Sequence, residues 1–329
     1  MKFARDTRVA AETYRAAEVL AEALPWIKAA TGRTVVIKYG GSAMVDPDLR
    51  AKVMSDIVLL KIVGLNPVIV HGGGKAINAG YERNGVEVEF RNGFRVTTEE
   101  GMEVVRTVMV GQVNQDLVRE INTHGNLAVG VSGVDAGTII AEQMSSDLGR
   151  VGRVTAVNTG LLEEIIDADY IPVVAGVALG EDDGYFNINA DTVAGDIAAA
   201  LGAHKIIFLT DVDGLYQDFD DKDTLISNMT IEEARSLVEF GGISSGMIPK
   251  LRSCVQALDA GVYRAHIING TTPHALLLEL LTDTGIGTVV HRTEELYRMD
   301  NHPIGNFASK LTENRCFREG NSYHRNEWR

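Results

Sequence analysis

An α/β fold, a parallel sheet covered by helices, is predicted by three observations. Short runs of β-branched apolar residues alternate with segments of helical period. Twice, a strand ends in a glycine cluster that opens onto a helix, the arrangement that links parallel neighbours. The chain of 329 residues is 45% hydrophobic, ample for a sizeable core.

The first element expected is a helix over residues 6–30, where Ala10, Tyr14, Ala17, Ala21 and Leu24 form one apolar stripe at spacings of three or four. Pro25 is expected to kink or end it, with Trp26 and Ile27 adding apolar bulk beyond. This helix precedes the first strand and has no evident sheet partner. It is either packed on its own domain or an arm against another subunit. Strands are expected at 34–39 and 66–71, each followed by a helix, at 47–60 and 75–84. A short hairpin with 86–90 on one arm comes next. One long helix is then expected over 98–122, its start marked by Thr98 with Glu99 and Glu100 behind it. Strands at 127–131, 138–141, 151–157 and 170–175 surround a glycine-rich middle. A soft boundary falls near 177–184, where glycine and acid density rises. The second half reads as helix 189–201, strand 204–210, helices 230–240 and 249–260, strand 265–268 and helix 273–281. From His291 onward periodicity is lost, and 291–329 reads as a polar extension.

Lysine and arginine number 31 against 45 aspartates and glutamates, a formal charge of −14 that repels nucleic acid and anionic lipid at long range. A local basic pocket for a nucleotide remains compatible with it. Two cysteines, Cys254 and Cys316, are too few for a disulfide framework. No signal peptide and no apolar run of membrane-spanning length is visible, so a cytoplasmic location is expected.

The chemistry starts at the glycines. Gly40-Gly41 comes after the first strand and Gly72-Gly73-Gly74 after the second. Glycine lets backbone N–H groups approach an anion, and a helix starting behind adds its positive end. Either cluster alone is equally a tight turn. Two of them at the carboxyl ends of neighbouring parallel strands would form one phosphate-binding crevice. Walker, dinucleotide and zinc-protease patterns are absent. Phosphoryl transfer needs positive charge on the moving oxygens more than a covalent nucleophile. Lys38 stands on an otherwise apolar strand, where it needs a partner or an anion unless it snorkels to the edge. Lys250 opens a helix against the dipole, which asks for a reason, solvation being the competing one. Asp191, at another helix start, could pair with both lysines and aim them. Thr210, Asp211, Asp213, Gly214, Leu215 and Tyr216 form a turn after a strand, a candidate adenosine contact. Arg95 could fork onto a substrate carboxylate.

Taken in order, Lys38–Gly41, His71–Gly74, 92–97, 132–135, 187–191, 210–216, 246–250 and 278–288 resemble the amino-acid kinase superfamily, and within it the kinases of N-acetylglutamate. The resemblance covers 34–288. It implies a three-layer α/β/α sandwich around a mostly parallel eight-stranded sheet, preceded by the N-terminal helix. It implies an oligomerisation arm at 1–30, an acetylglutamate-binding lobe at 31–180, an ATP-binding lobe at 181–290 and an extension of unassigned role at 291–329. The implied reaction takes ATP and N-acetyl-L-glutamate to ADP and N-acetyl-L-glutamyl 5-phosphate, the second step of arginine biosynthesis. Lys38 and Lys250 would stabilise the transferring group and Asp191 would organise them. Gly40, Gly41, Gly72 and Gly73 would hold phosphates. Gly73, Gly74, Arg95 and Asn187 would hold the substrate, and Gly246 and Met247 would join 210–216 around the nucleotide. Mg²⁺ would ride on the ATP phosphates with no direct protein ligand. Arginine-inhibited relatives carry such an N-terminal helix and form hexamers, trimers of dimers. By that resemblance His266, Glu279 and Gly285 would bind L-arginine as inhibitor. Binding of a PII-type signalling protein is left open. Val134 and Phe94 depart from the family pattern without removing a named role. Glutamate 5-kinase, carbamate kinase and uridylate kinase share the fold, and a non-catalytic arginine sensor is the reading from another class.

Overall fold

The computed structural model describes residues 7–218, 220–243, 247–282 and 285–292; within 7–19 only Tyr14 and Glu18 are described beyond the backbone. The chain begins with α1 (Thr7–Ala30), β1 (Thr34–Tyr39), α2 (Pro47–Ile62), β2 (Asn66–His71) and α3 (Gly74–Asn84). A tight hairpin, β3 (Phe90–Arg91) and β4 (Phe94–Arg95), precedes α4 (Glu99–Val108) and α5 (Gln115–Asn122). The middle comprises β5 (Ala128–Ser132), β6 (Ile139–Gln143), β7 (Gly152–Val157), α6 (Gly160–Asp167), β8 (Ile171–Ala175), β9 (Val177–Gly180) and β10 (Tyr185–Asn187). Then come α7 (Ala190–Ala200), β11 (Lys205–Thr210), β12 (Leu215–Tyr216), β13 (Leu225–Ile226) and β14 (Asn228–Thr230). The described fold closes with α8 (Ile231–Phe240), α9 (Ile248–Asp259), β15 (Arg264–Asn269), α10 (Ala275–Leu280) and β16 (Thr288–His291).

Eight strands form the central sheet in the order β14-β16-β15-β11-β1-β2-β8-β5. Every neighbouring pair is parallel except β15 with β16. Side chains along β1 alternate between the two faces of the sheet. Val35, Ile37 and Tyr39 face the core shared with α2, whereas Val36 faces the core shared with α7. Lys38, two residues on from Val36, therefore leaves the sheet on the α7 side, at the carboxyl end. Tyr39 is paired with His71, so both glycine turns leave adjacent strands at the same level. On the other flank β1 pairs with β11, and Thr210 of β11 with Asn269 of β15. The chain thus reverses its direction of travel across the sheet at β1, and the crevice above that switch point is where α/β sheets bind ligands. A four-stranded sheet, β10-β9-β6-β7, adjoins it.

Several expectations are corrected. Pro25 does not end α1, which continues to Ala30. Its missing N–H forfeits one bond to Ala21, and the burial of Trp26, Ile27 and Ala30 against the α2 side of the core carries the helix on. The apolar stripe is not the buried face. Tyr14, Leu20 and Leu24 are exposed, and Ala23, Trp26, Ile27 and Ala30 make the contact. The side chains of Ala10 and Ala17 lie outside the described residues. The hairpin arm lies at 90–91 rather than 86–90, because Asn92 and Gly93 both adopt positive φ (51° and 82°) and close a two-residue turn. The expected helix over 98–122 is interrupted by a π-helical turn, Met109–Asn114, which turns Asn114 inward to the sheet. Residues 177–184 form β9 and the approach to β10. His291 lies in β16, and 293–329, with Cys316, lies outside the described residues.

Candidate active site

Asp191 is the centre of the site. Asn189 caps α7, accepting from the Asp191 and Thr192 N–H groups, and fixes Asp191 in the first turn facing β1. Its carboxylate meets the Lys38 Nζ at 2.9 Å, an ion pair without the alignment of a hydrogen bond, and the Lys250 Nζ at 3.5 Å. Burial alone would raise the Asp191 carboxyl. The two lysines outweigh it and hold the group below the usual carboxylate range. Pro249 initiates α9 and puts Lys250 in its first turn, so the unfavourable helix end is compensated by Asp191. With one carboxylate for two ammonium groups, the cluster carries a net positive charge into the crevice.

The first glycine turn closes around this cluster. Gly41 has φ +73°, and a Cβ there would stand 2.5 Å from the Asp211 Oδ1. Asp211 accepts the Ser42 N–H at 2.7 Å and so ties the β11 turn to the β1 turn. Gly40 leaves room over which the Lys38 ammonium folds, 3.1 Å from the site of a missing Cβ. In the second turn the Gly72 N–H donates to the Tyr39 carbonyl at 2.8 Å. Gly73 caps α3, whose first N–H groups look out from the turn.

Arg95 lies beside that turn. It is buried, and its Nη2 donates to the Asn78 Oδ1 at 2.5 Å and the Gly74 carbonyl at 3.3 Å. The guanidinium stands over Tyr81 and Phe90, 5.2 and 4.7 Å from the ring centroids. Burial pushes its pKa down, and its buried Nη1 has no hydrogen-bond partner. A guanidinium held by neutral groups, with an unpartnered N–H, suits an incoming carboxylate. Asn187 donates to the Thr97 Oγ1 at 3.2 Å, and Thr97 in turn to the Arg95 carbonyl at 3.1 Å, so the two expected substrate residues are linked.

The β11 turn is tightly bonded. Thr210 accepts the Val212 N–H at 3.2 Å. Asp213 accepts from Asn269 at 2.8 Å and from the Tyr216 hydroxyl at 2.7 Å. Burial and that carboxylate push the Tyr216 phenol up to about 12. A side chain on Gly214 would strike Thr288, whose hydroxyl accepts the Leu215 N–H at 2.8 Å. Met247 is buried at the start of α9, and Gly246 lies outside the described residues. His266, Glu279 and Gly285 meet in a separate cluster. His266 Nδ1 is 2.6 Å from the Glu279 Oε1, the Ile286 N–H donates to Oε2 at 2.8 Å, and Gly285 adopts φ +60° against the same carboxylate. Burial would raise the Glu279 carboxyl, but His266 and those contacts leave it lowered.

Sequence reasoning missed Asn78, Thr97, Asn114 and the Ser42–Asp211 bond. Asn78 lies four residues after Gly74 on one face of α3, a spacing that could have suggested it. The others are contacts between distant segments.

A buried carboxylate paired with two ammonium groups beside a glycine turn is an arrangement able to neutralise a phosphoryl group. The amino acid kinase family model matches residues 33–269, and the chain belongs to that family, a family of kinases that use ATP. Its relatives are more particular. It is 52% identical over 276 residues to the acetylglutamate kinase of Caldanaerobacter subterraneus subsp. tengcongensis, covering 83% of this chain and 92% of that one. It is 52% identical over 274 residues to the acetylglutamate kinase of Nostoc sp., with the same coverage. The fold is similar to N-acetylglutamate synthase from Neisseria gonorrhoeae complexed with coenzyme A and N-acetyl-glutamate, with TM-score 0.75 and 26% identity. That match covers 84% of this chain and 63% of the synthase, so the chain spans under two thirds of it. No helix among the described residues is long and apolar enough to cross a membrane.

Proposed function

We propose that this protein transfers the γ-phosphoryl group of ATP to the 5-carboxylate of N-acetyl-L-glutamate, giving ADP and N-acetyl-L-glutamyl 5-phosphate. The Lys38–Asp191–Lys250 cluster above the glycine turns carries the reading, and acetylglutamate kinases at 52% identity support the substrate. The acceptor carboxylate is already ionised at neutral pH, so it needs placement and charge neutralisation rather than a general base. Lys38 and Lys250 offset the charge spread over the transferring oxygens, and Asp191 fixes their positions. The Gly41 and Gly73 amides face the phosphates. Gly73 and Gly74 border the substrate, Arg95 takes its α-carboxylate and Asn187 contacts its acetylamino end. The 31–180 lobe thus takes the acyl amino acid and the 181–290 lobe ATP, with the 210–216 turn and Met247 around the nucleotide. Mg²⁺ is carried by the ATP phosphates. Among the described residues no group of three or more His, Cys, Asp or Glu side chains is placed to hold a metal. An ADP-release assay with N-acetylglutamate, glutamate, aspartate, carbamate and UMP offered separately tests the substrate. Preference for N-acetylglutamate is expected, and its absence overturns the reading.

The proposed function includes control by L-arginine, bound at His266, Glu279 and Gly285, with α1 as an arm between dimers of a hexamer. The buried Glu279 carboxylate and the exposed Tyr14, Leu20 and Leu24 of α1 favour it. Deleting residues 1–25 should abolish arginine inhibition and reduce the assembly to dimers in sedimentation, with turnover kept. Unchanged inhibition sinks this part.

A further inference from the structure

The buried His71 has no part in the chemistry above, yet it ends β2 where the second glycine turn begins. Its Nε2 lies 3.1 Å from the Asn114 Nδ2, and its Nδ1 lies 3.0 Å from the Gly72 carbonyl. The Asn114 amide also donates to the Val173 carbonyl at 2.8 Å. An amide nitrogen has two hydrogens and no lone pair to offer, so Nε2 must be the acceptor. The imidazole proton is therefore on Nδ1, and it donates to Gly72 O. Burial holds the His71 pKa down to about 4, so the ring stays neutral at physiological pH.

The consequence falls on the next peptide. The Gly72 N–H is already bound to Tyr39 O, and its C=O is now bound to His71. A trans peptide points its C=O and its following N–H in opposite directions. With the Gly72 carbonyl turned inward to a side chain of 0% exposure, the Gly73 N–H points out of the turn. Without these bonds a Gly-Gly-Gly run would sample many orientations. Asn114 reaches His71 because the π-helical turn carries it inward, and Gly130 of β5 leaves the space its amide fills.

We propose that Asn114 and His71 form a positioning relay that sets the Gly72–Gly73 peptide, so that the Gly73 amide is preorganised to donate to the transferring phosphoryl oxygen. This rests on the phosphate role proposed above for Gly73. Neither residue touches substrate; each acts through that amide.

The two amide isosteres of histidine test it in the full-length protein. In His71→Asn the side-chain amide takes the place of Nδ1 and can still donate to Gly72. In His71→Gln it takes the place of Nε2 and keeps only the Asn114 side. His71→Gln should lower kcat by about 10- to 100-fold with KM for ATP little changed, as expected for a misaimed transition-state donor. His71→Asn should keep kcat within about threefold, by the same argument. Thermal melting of both variants measures the packing loss they share. Any result in which Asn is no better than Gln overturns the relay. Imidazole ¹⁵N shifts of the wild-type protein give a second reading that does not depend on turnover: a proton on Nδ1 is expected, and one on Nε2 overturns the proposal. Absence of N-acetylglutamate turnover in the wild type would strike the proposed function and leave the tautomer to judge the relay.

Discussion

Replacing Asp191 with Asn keeps the shape of the side chain and removes the charge on which both lysines converge. At 2.9 and 3.5 Å, with an effective dielectric constant near 20, the gross attractions are about 6 and about 5 kcal/mol. Desolvation of the three groups cancels much of this. Removing one partner of a buried pair has a net cost of about 3–5 kcal/mol, because the other charge is left uncompensated. Lys38 and Lys250 keep 11% and 21% of their side-chain surface in solvent, which favours the lower end, about 3 kcal/mol. Urea denaturation should register that loss. The kinetic effect should be one-sided. The freed ammonium groups still attract ATP, so KM for ATP should not rise, while kcat should fall about 10²- to 10³-fold as the charges lose their fixed geometry. A variant with wild-type kcat, or one whose whole defect lies in KM for ATP, would refute the idea that Asp191 aims the lysines.

Substitutions elsewhere in the crevice should separate binding from turnover. Arg95→Ala should raise KM for N-acetylglutamate about 10- to 100-fold, the worth of a charge-assisted bond at a buried site, and leave KM for ATP unchanged; steady-state kinetics with each substrate varied checks both. Gly41→Ala should cut kcat and destabilise by about 1–3 kcal/mol, since the new residue must hold φ +73° with its methyl against Asp211, which melting and turnover together measure. For His71 the folded pKa of about 4 lies below the ordinary 6.5, so between these values the unfolded chain binds a proton that the folded one refuses. Its contribution is therefore constant above pH 6.5 and turns against folding as pH falls, by about 3 kcal/mol in total at pH 4. Urea titrations from pH 7 to 4 should show less of this slope in His71→Asn than in the wild type.

Much of the site was legible because its members stand at element ends that announce themselves. A lysine near the end of an apolar strand violates a local preference, while glycines after it and an acid behind an asparagine cap are recognisable turn and helix-start signals, and Lys38 does meet both Gly40 and Asp191. Period-two alternation even implies which side of the sheet Lys38 leaves. The residues that hold these groups in place were not legible. The Thr97–Asn187 and Asn114–His71 bonds join segments 90 and 43 residues apart, and no local pattern encodes such a meeting. The π-helical turn was not legible for a related reason: 109–114 lies inside a long run of good helix period, and only the tertiary bonds of Asn114 make the wider turn worthwhile. In α1 the repeat of apolar residues was real, but it marked the exposed stripe. Trp26 and Ile27, beyond the proline, chose the buried face.

In the proposed reaction two lysines aimed by one aspartate deliver a phosphoryl group to a carboxylate. Its direct product is an acyl phosphate, which hydroxylamine converts to a hydroxamate. Trapping during turnover of ATP with N-acetyl-L-glutamate should give one hydroxamate for each ADP released, and almost none in Lys38→Ala. ADP released without hydroxamate, or undiminished trapping in Lys38→Ala, would contradict the account.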